Sequence, residues 1–350
     1  MTKHRPRPAA FAAALTGLAM LLTGCAGSAS GAAPIEQVNI GYFPNLTHAP
    51  GLVADAEGAF AHRFGSLNLK VSTKSFNAGP DVIQAILSGS LDISYIGPNP
   101  TVTAYIQSQG DGIRVIAGST SGGAFLVVKP AITSPAQLKG KRLATPQLGN
   151  TQDIALRYWL KQQNLTADEN GGGDVSILPQ ANSAAVQAFS TGAIDGAWVP
   201  EPYASKLVAA GGRVLVDEKS LWPGGRFVTT NVIARTAFVQ QHPDAIRAFI
   251  EAHLDALDEI TKEPAKAQEA VAAQITRITG QDTTADSLKA SWKNLEFTFD
   301  PLAATLKQSA DHAAAVGLLP NKPTDGFAKL WDLTALNDAL SARGRQPVGS

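Results

Sequence analysis

Several short loops in the sequence carry small, neutral side chains that can donate hydrogen bonds. These loops are residues 44–48, 97–99, 147–152 and 200–202, and a similar segment spans residues 119–123. Each loop follows a predicted strand, where free backbone N–H groups and the positive end of a helix dipole favour an anion without a fixed cation. A sulfonate offers three acceptor oxygens to such donors. The candidate ligand-binding residues are Asn45, Thr47, His48, Gly97, Pro98, Asn99, Thr120, Ser121, Gly123, Gly149, Asn150, Thr151, Gln152, Trp198 and Glu201.

Many of these residues also have an ordinary structural interpretation. Asn, Gly and Pro are typical turn residues, and Thr151 is a candidate helix cap. Trp198 fits the wall around an apolar ligand tail or a packed core. His48 is a candidate donor to an anion or a structural histidine. Glu201 either binds an amine, as taurine would require, or caps a helix that begins at Pro202.

Other functional classes lack their expected patterns here. The chain has 29 basic and 29 acidic residues and no dense basic run after the leader, which disfavours a nucleic-acid partner. We find no Gly-Lys-Ser/Thr phosphate loop, no Gly-x-Gly-x-x-Gly after the first strand, and no nucleophile with a base and an orienting partner. The remaining histidines are scattered, so we expect no metal site. They are His62, His242, His253 and His312.

The N-terminus has the pattern of a secretory lipoprotein. Basic residues precede an apolar run over residues 9–22, which is shorter than the roughly 20 residues of a spanning helix. Leu22-Thr23-Gly24-Cys25 resembles the bacterial lipobox, and Cys25 is the sole cysteine, so we expect no internal disulfide. We predict a signal peptide at 1–24, then lipidated Cys25 and a flexible tether through residue 35. The protein would be lipid-anchored on the extracytoplasmic face of the cell membrane.

The rest of the chain alternates between apolar β-branched runs and segments of helical period, which predicts βαβ units and a parallel sheet. Residues 83–92 match residues 186–195 at Gln, Ala, Gly and Asp, an offset of 103 residues that also aligns Ile40 with Leu143. The predicted strands are 38–42, 92–96, 114–118, 125–128, 142–145, 175–178 and 195–199, and the predicted helices are 50–64, 81–87, 100–107, 152–163 and 184–189.

The length and the repeat together predict two lobes. About 315 residues follow the leader, more than one hydrophobic core usually holds. We assign residues 36–120 and 227–350 to the first lobe and residues 121–226 to the second. Crossings near 119–123 and 224–230 form the predicted hinge, and Arg226 beside it faces solvent or, as the weaker alternative, pairs with an anion. The last helices should pack on the first lobe; they are 243–262, 264–277, 285–292 and 301–316.

Several motifs resemble the aliphatic-sulfonate, taurine and nitrate binding proteins of ABC importers. They are Ile40-Gly-Tyr42, Asn77-Ala-Gly-Pro80, residues 83–93, residues 134–141 and Glu201-Pro-Tyr203. The resemblance covers roughly residues 38–260 and implies an α/β, type II periplasmic-binding-protein fold with two lobes around a cleft. It also implies no catalysis, no cofactor, and delivery of a small-molecule ligand to an ABC permease in the membrane. We expect a monomer.

The sequence favours an alkanesulfonate as the ligand, because sulfonates are frequent in this family. Taurine, nitrate or bicarbonate, and a pyrimidine precursor of thiamine stay open as alternatives, since a neutral, donor-rich pocket suits each of them. An enzyme on the same fold is less favoured because no catalytic constellation is present. A signalling receptor that binds the same ligands stays open as a second alternative.

Overall fold

The computed structural model describes residues 35–319, 323 and 325–350. The predicted signal peptide, Cys25 and nearly all of the predicted tether lie outside the described residues. Within the described part of the chain, no helix has both the length and the apolar character that a membrane span requires.

The strands form two separate mixed sheets. Their bounds are β1 (Gln37–Tyr42), β2 (Lys70–Ser75), β3 (Ile93–Ile96), β4 (Ile113–Gly122), β5 (Ala124–Val128), β6 (Arg142–Thr145), β7 (Ser176–Pro179), β8 (Gly196–Pro200), β9 (Arg213–Asp217), β10 (Val228–Arg235) and β11 (Leu295–Phe297). Over the described residues the first sheet has the order β2-β1-β3-β10-β4-β11 and the second has the order β7-β6-β8-β5-β9. Each sheet also contains an antiparallel strand next to its parallel strands. In the first sheet β10 runs antiparallel to β3, and in the second sheet β5 runs antiparallel to β8.

Helices cover both sheets. Their bounds are α1 (Ala49–Ala56), α2 (Ala59–Gly65), α3 (Gly79–Leu87), α4 (Pro98–Gln107), α5 (Thr151–Gln162), α6 (Asn182–Ser190), α7 (Tyr203–Ala209), α8 (Thr236–Gln241), α9 (Pro243–Lys262), α10 (Pro264–Thr279), α11 (Ala285–Trp292), α12 (Ala303–Ala315) and α13 (Thr334–Ala342). As predicted, the late helices pack on the first lobe. Phe249 of α9 stacks on Phe60 of α2 with ring centroids 5.5 Å apart. The buried hydroxyl of Tyr95 in β3 lies 2.9 Å from Nδ1 of His253 in α9.

The structure confirms the internal repeat. Ile40 pairs with Ile93 in the first sheet, and their equivalents 103 residues later, Leu143 and Gly196, pair in the second. The repeated aspartate has a structural role, because Asp92 Oδ2 accepts a hydrogen bond from the backbone N–H of residue 39 at 2.9 Å. Asp195 Oδ2 accepts the corresponding bond from residue 142 at 2.8 Å. The two lobes therefore share one folding pattern.

The predicted single helix over residues 50–64 is wrong. The structure has two helices there, and Gly58 lies between them with a φ of 70°, in the left-handed region that glycine adopts readily. Strands β2 and β9 were also not predicted. Each lies at an edge of its sheet and is largely exposed, so its sequence lacks a long apolar run.

The chain changes sheets twice within the described residues. β4 ends at Gly122 and β5 begins at Ala124, and the chain returns between Asp217 and Val228. Gly122 and Gly123 have φ values of 78° and 75°, which only glycine adopts without strain. The hinge and the lobe boundaries at residues 120 and 226 stay predictions.

Candidate functional site

A pocket of about 300 Å³ lies where the two lobes meet. The first lobe lines it with Phe43, Asn45, Thr47, His48, Asn77, Gly97 and Thr229, and the second lobe lines it with Asn150, Thr151, Gln152, Asn182 and Pro200. None of the described residues that line the pocket is a lysine, arginine, aspartate or glutamate. The space left for a ligand is small, so the pocket suits a small molecule.

The loop after β1 is held in place by its own side chains. Asn45 Oδ1 accepts hydrogen bonds from the Thr47 backbone N–H at 3.0 Å and from Thr47 Oγ1 at 2.8 Å. Thr47 Oγ1 in turn accepts a bond from Thr230 Oγ1 at 3.0 Å. The Asn45 side-chain amide nitrogen has no hydrogen-bond partner among the described residues, so it is available to a ligand.

His48 is a neutral donor at the pocket wall. Its Nδ1 accepts the Phe43 backbone N–H at 3.2 Å, and its ring stacks on Phe43 with centroids 4.2 Å apart. Burial lowers the pKa of His48 to about 3, so the ring is uncharged at neutral pH. Because Nδ1 is an acceptor, the hydrogen must lie on Nε2. No described residue accepts that hydrogen.

The N-terminus of α5 forms the second-lobe wall, and Asp153 fixes the loop before it. The Asp153 carboxylate accepts bonds from Thr145 Oγ1 at 2.9 Å, the Gly149 backbone N–H at 3.0 Å and Arg157 Nε at 2.9 Å. The backbone N–H groups of Thr151 and Gln152 have no acceptor among the described residues. They lie at the positive end of a 12-residue helix, which suits an anion.

Two polar atoms of the pocket residues lack the partners that buried groups normally have. Thr151 Oγ1 and Asn182 Oδ1 are buried without a hydrogen bond in the described structure. Leaving such a group unsatisfied costs about 1–3 kcal/mol. A ligand in the pocket is a natural partner for both atoms, since both residues line it.

The lobes touch across this pocket. The Leu46 backbone N–H donates to the Glu201 carbonyl at 2.8 Å, and the Tyr203 hydroxyl donates to the Pro44 carbonyl at 3.0 Å. The Gly79 backbone N–H reaches Asn150 Oδ1 at 3.3 Å. The two lobes therefore contact each other directly beside the pocket.

The structure brings Asn45, Thr47, His48, Gly97, Asn150, Thr151 and Gln152 together around the pocket, and it places the other candidates elsewhere. Pro98 and Gly149 flank the pocket loops. Asn99 Nδ2 points to the Ser309 carbonyl at 2.9 Å, and Thr120 Oγ1 donates to the Thr47 carbonyl at 2.7 Å.

Ser121 and Gly123 belong to the framework of the crossing. Ser121 Oγ accepts the Phe227 backbone N–H at 3.1 Å, and the Gly123 carbonyl accepts the Glu201 backbone N–H at 2.9 Å. Arg226 is half-exposed and pairs with Glu296 at 2.7 Å, which is the solvent-facing alternative.

Trp198 and Glu201 have structural partners rather than a place on the pocket wall. Trp198 is fully buried in the second-lobe core, and its Nε1–H donates to Glu218 Oε2 at 2.8 Å. The Glu201 carboxylate accepts bonds from the Ser205 backbone N–H at 3.0 Å and from Asn294 Nδ2 at 2.7 Å. Glu201 thus bonds the first turn of α7, as its helix-capping interpretation requires.

The candidate residues chosen from the sequence did not include Phe43, Asn77, Asn182, Pro200 and Thr229, which all line the pocket. The internal repeat contained a signal for one of them. The offset of 103 residues aligns Asn182 with Gly79, and these residues begin the equivalent helices α6 and α3. In the structure the Gly79 backbone N–H contacts Asn150 across the cleft. The equivalent helix start in the second lobe, Asn182, is therefore also expected at the cleft.

With this geometry, the chain can be compared with known proteins. A sequence profile described as the NMT1-like family matches residues 31–276. The chain belongs to the NMT1-like family. The taurine-binding periplasmic protein of Escherichia coli (strain K12) is 28% identical to it over 224 residues, or 63% of this chain and 66% of that protein. This NMT1-like chain spans just under two thirds of the length of that relative.

Solved structures establish the fold of this NMT1-like protein. The alkanesulfonate-binding protein SsuA from Xanthomonas axonopodis pv. citri, bound to MOPS, matches 83% of this chain and 96% of its own at 20% identity and a TM-score of 0.68. The periplasmic nitrate-binding protein NrtA from Synechocystis PCC 6803 matches 88% of this chain and 89% of its own at 15% identity and a TM-score of 0.72. The predicted two-lobed binding-protein fold is confirmed.

Proposed function

We propose that this protein is the extracytoplasmic solute-binding component of an ABC importer and that it captures an alkanesulfonate between its lobes. One observation carries the proposal: an uncharged interlobe pocket whose wall offers unpartnered donors, including the buried Thr151 hydroxyl. The names of the relatives, which are binding proteins rather than enzymes, support the same class.

A sulfonate group suits the hydrogen-bond donors of the pocket wall. It carries one delocalised negative charge on three oxygens. His48 Nε2–H, Thr151 Oγ1–H and the two free N–H groups of α5 are suitable donors to them, each bond to a charged oxygen contributing about 1.5–3 kcal/mol. The helix dipole of α5 compensates part of the charge, so the absence of lysine and arginine from the wall is compatible with an anion. The stacked rings of Phe43 and His48 provide an apolar surface for the alkyl group.

Taurine is the second candidate, because a relative from Escherichia coli is named for it and because Asn182 Oδ1 is an unpartnered acceptor. Its ammonium group would enter a pocket without a carboxylate, since Glu201 is engaged by Ser205 and Asn294. Burying an ammonium group without an anionic partner is costly. This difference supports a sulfonate without an amino group.

In this proposal the ligand binds both lobes and favours their closed arrangement, which the permease recognises. The protein is a monomer, anchored on the extracytoplasmic face by lipid on Cys25. Replacing Cys25 with alanine should move the protein from the membrane fraction to the soluble fraction of the producing cells. Unchanged membrane association of Cys25→Ala would contradict the anchor without affecting the ligand assignment.

The ligand is tested by titration calorimetry with ethanesulfonate, 2-hydroxyethanesulfonate, taurine and nitrate. We expect both uncharged-tail sulfonates to bind, and taurine to bind at least about tenfold more weakly, because its ammonium lacks an anionic partner. Tighter binding of taurine than of ethanesulfonate would replace the ligand class with aminosulfonates. Binding of nitrate alone, or of none of the four, would overturn the sulfonate proposal.

A further inference from the structure

A second cavity lies between the lobes, away from the pocket lined by Asn45, His48 and Thr151, which we call the anion pocket. It encloses about 400 Å³ between α5 of the second lobe, α12 of the first lobe and the segment at residues 218–222. The residues that matter here are Tyr158, Glu218, Trp222 and His312. None of the residues that line the anion pocket lines this cavity.

Glu218 is a buried carboxyl group whose partners are incomplete. Only 2% of the residue is exposed, and Oε2 accepts the Trp198 indole N–H at 2.8 Å. The Trp222 side chain lines the same cavity. Within the described chain no lysine or arginine forms an ion pair with Glu218, so its ionised form lacks a cation.

The protonated form of Glu218 is incomplete as well. An indole N–H is a donor only, so neither tryptophan can accept a hydrogen bond from a carboxylic acid O–H. No other side chain of the described residues accepts from Glu218. Burial raises the pKa of Glu218 to about 7, as expected for a carboxylate without a compensating charge. Glu218 therefore lines the cavity without a charged partner in either protonation state.

Aromatic rings form the walls beside this carboxyl group. Tyr158 stacks on His312 with centroids 3.8 Å apart, and the Trp222 ring lies 5.1 Å from His312. Burial lowers the pKa of His312 to about 4, so this ring is neutral and does not repel a cation at neutral pH. Aromatic faces attract organic cations, and quaternary ammonium groups are commonly held in this way.

We propose that this cavity binds a small organic cation of the quaternary ammonium type, paired with Glu218 and flanked by Tyr158 and Trp222. The cation supplies the charge that Glu218 lacks, and the methyl groups of a quaternary ammonium pack on the rings. Its two walls belong to different lobes, so the bound cation also favours the closed arrangement.

The test uses the full chain and choline as the probe, with 3,3-dimethylbutanol as an uncharged molecule of the same shape. We expect choline to bind at least about tenfold more tightly than the alcohol, because only the cation gains the carboxylate and the ring faces. Equal affinity for the two, or no binding of choline, would overturn the proposal.

Variants separate the two parts of the cavity. Glu218→Gln keeps an acceptor for the Trp198 indole and should lose at least about tenfold in choline affinity, whereas Tyr158→Leu keeps the carboxyl group and should lose several-fold. Glu296→Gln is the matched control, because Glu296 is half-exposed in an ion pair with Arg226. Full choline affinity in both cavity variants, each folded as judged by thermal unfolding, would contradict the site.

Discussion

The two interlobe cavities differ in the chemical groups that their walls offer to a ligand. No charged side chain lines the anion pocket among the residues that the structure describes, and the free groups there are mainly hydrogen-bond donors on neutral residues and on the start of α5. The second cavity contains a buried carboxyl group among aromatic rings. The charge of a suitable ligand thus follows from the unsatisfied buried groups, even where no residue of opposite charge is present.

One helix contributes to both cavities. Thr151 at the first turn of α5 lines the anion pocket, and Tyr158 two turns later lines the second cavity. Because the opposite walls belong to the first lobe, both cavities exist in this form only while the lobes are together. A substitution in one cavity should therefore change the affinity for the ligand of that cavity most strongly. It should affect the other cavity only through the approach of the two lobes.

The largest effect is expected from blocking the contact between the lobes at the anion pocket. A Cβ on Gly97 would lie 2.2 Å from Thr151 Oγ1, although the Gly97 backbone, with a φ of −74°, accepts any residue. Gly97→Val should weaken ethanesulfonate binding by about a hundredfold or more, because the two lobes could no longer approach each other around the ligand.

Calorimetry and thermal unfolding check the Gly97 prediction. The control is Gly65→Val, where a Cβ would meet no atom within 4 Å. Equal loss of affinity in both variants would mean that the effect is not specific to the lobe contact.

The second prediction concerns the carboxyl group of the other cavity. Burial raises the pKa of Glu218 from 4.5 to about 7, so the folded protein favours the protonated form. This contribution is fully present below pH 4.5 and is lost as the pH rises through about 7, a change of about 3 kcal/mol. Glu218→Gln should remove that part of the pH dependence of the free energy of unfolding, measured by denaturant titration. Parallel profiles for wild type and variant would refute the shift.

A smaller effect should follow from removing the unpartnered hydroxyl of the anion pocket. Thr151→Val should weaken ethanesulfonate binding at least about tenfold, because a bond to a charged oxygen is lost, without destabilising the free protein. Thr101→Val is the matched control, since Thr101 Oγ1 donates to the Gly97 carbonyl at 2.9 Å and its loss should cost about 1 kcal/mol of stability. Comparable destabilisation by both substitutions would show that Thr151 has a partner in the free protein.

The smallest effect should be that of pH on anion binding. The pKa of His48 is lowered to about 3 by burial, so His48 stays neutral and its Nε2–H donates throughout the ordinary range. Ethanesulfonate affinity should change less than about twofold between about pH 5 and 8. Binding that tightens as the pH falls below 6.5 would show that His48 is protonated when the anion binds.

The sequence predicted the second-lobe wall of the pocket better than it predicted which polar side chains of the first lobe and the crossing reach the pocket. Asn150, Thr151 and Gln152 begin a helix after a strand, and local chain geometry places their N–H groups at its start. Asn99 in the first turn of α4 and Thr120 near the end of β4 are equally polar, but their side chains bond Ser309 and Thr47. Those partners are far away in the sequence, so no local pattern could reveal them.

Local patterns along the chain were sufficient to predict the alternation of strands and helices, the 103-residue repeat and the family. These features follow from local hydrophobic periodicity and from motifs that stay contiguous along the chain. The donors that remain unpartnered could be identified only in the folded chain, because they depend on bonds such as Leu46 to Glu201 and Asn99 to Ser309. The fold likewise places Trp198 in the core beside Glu218, since burial and hydrogen bonding of a side chain depend on residues brought together by folding.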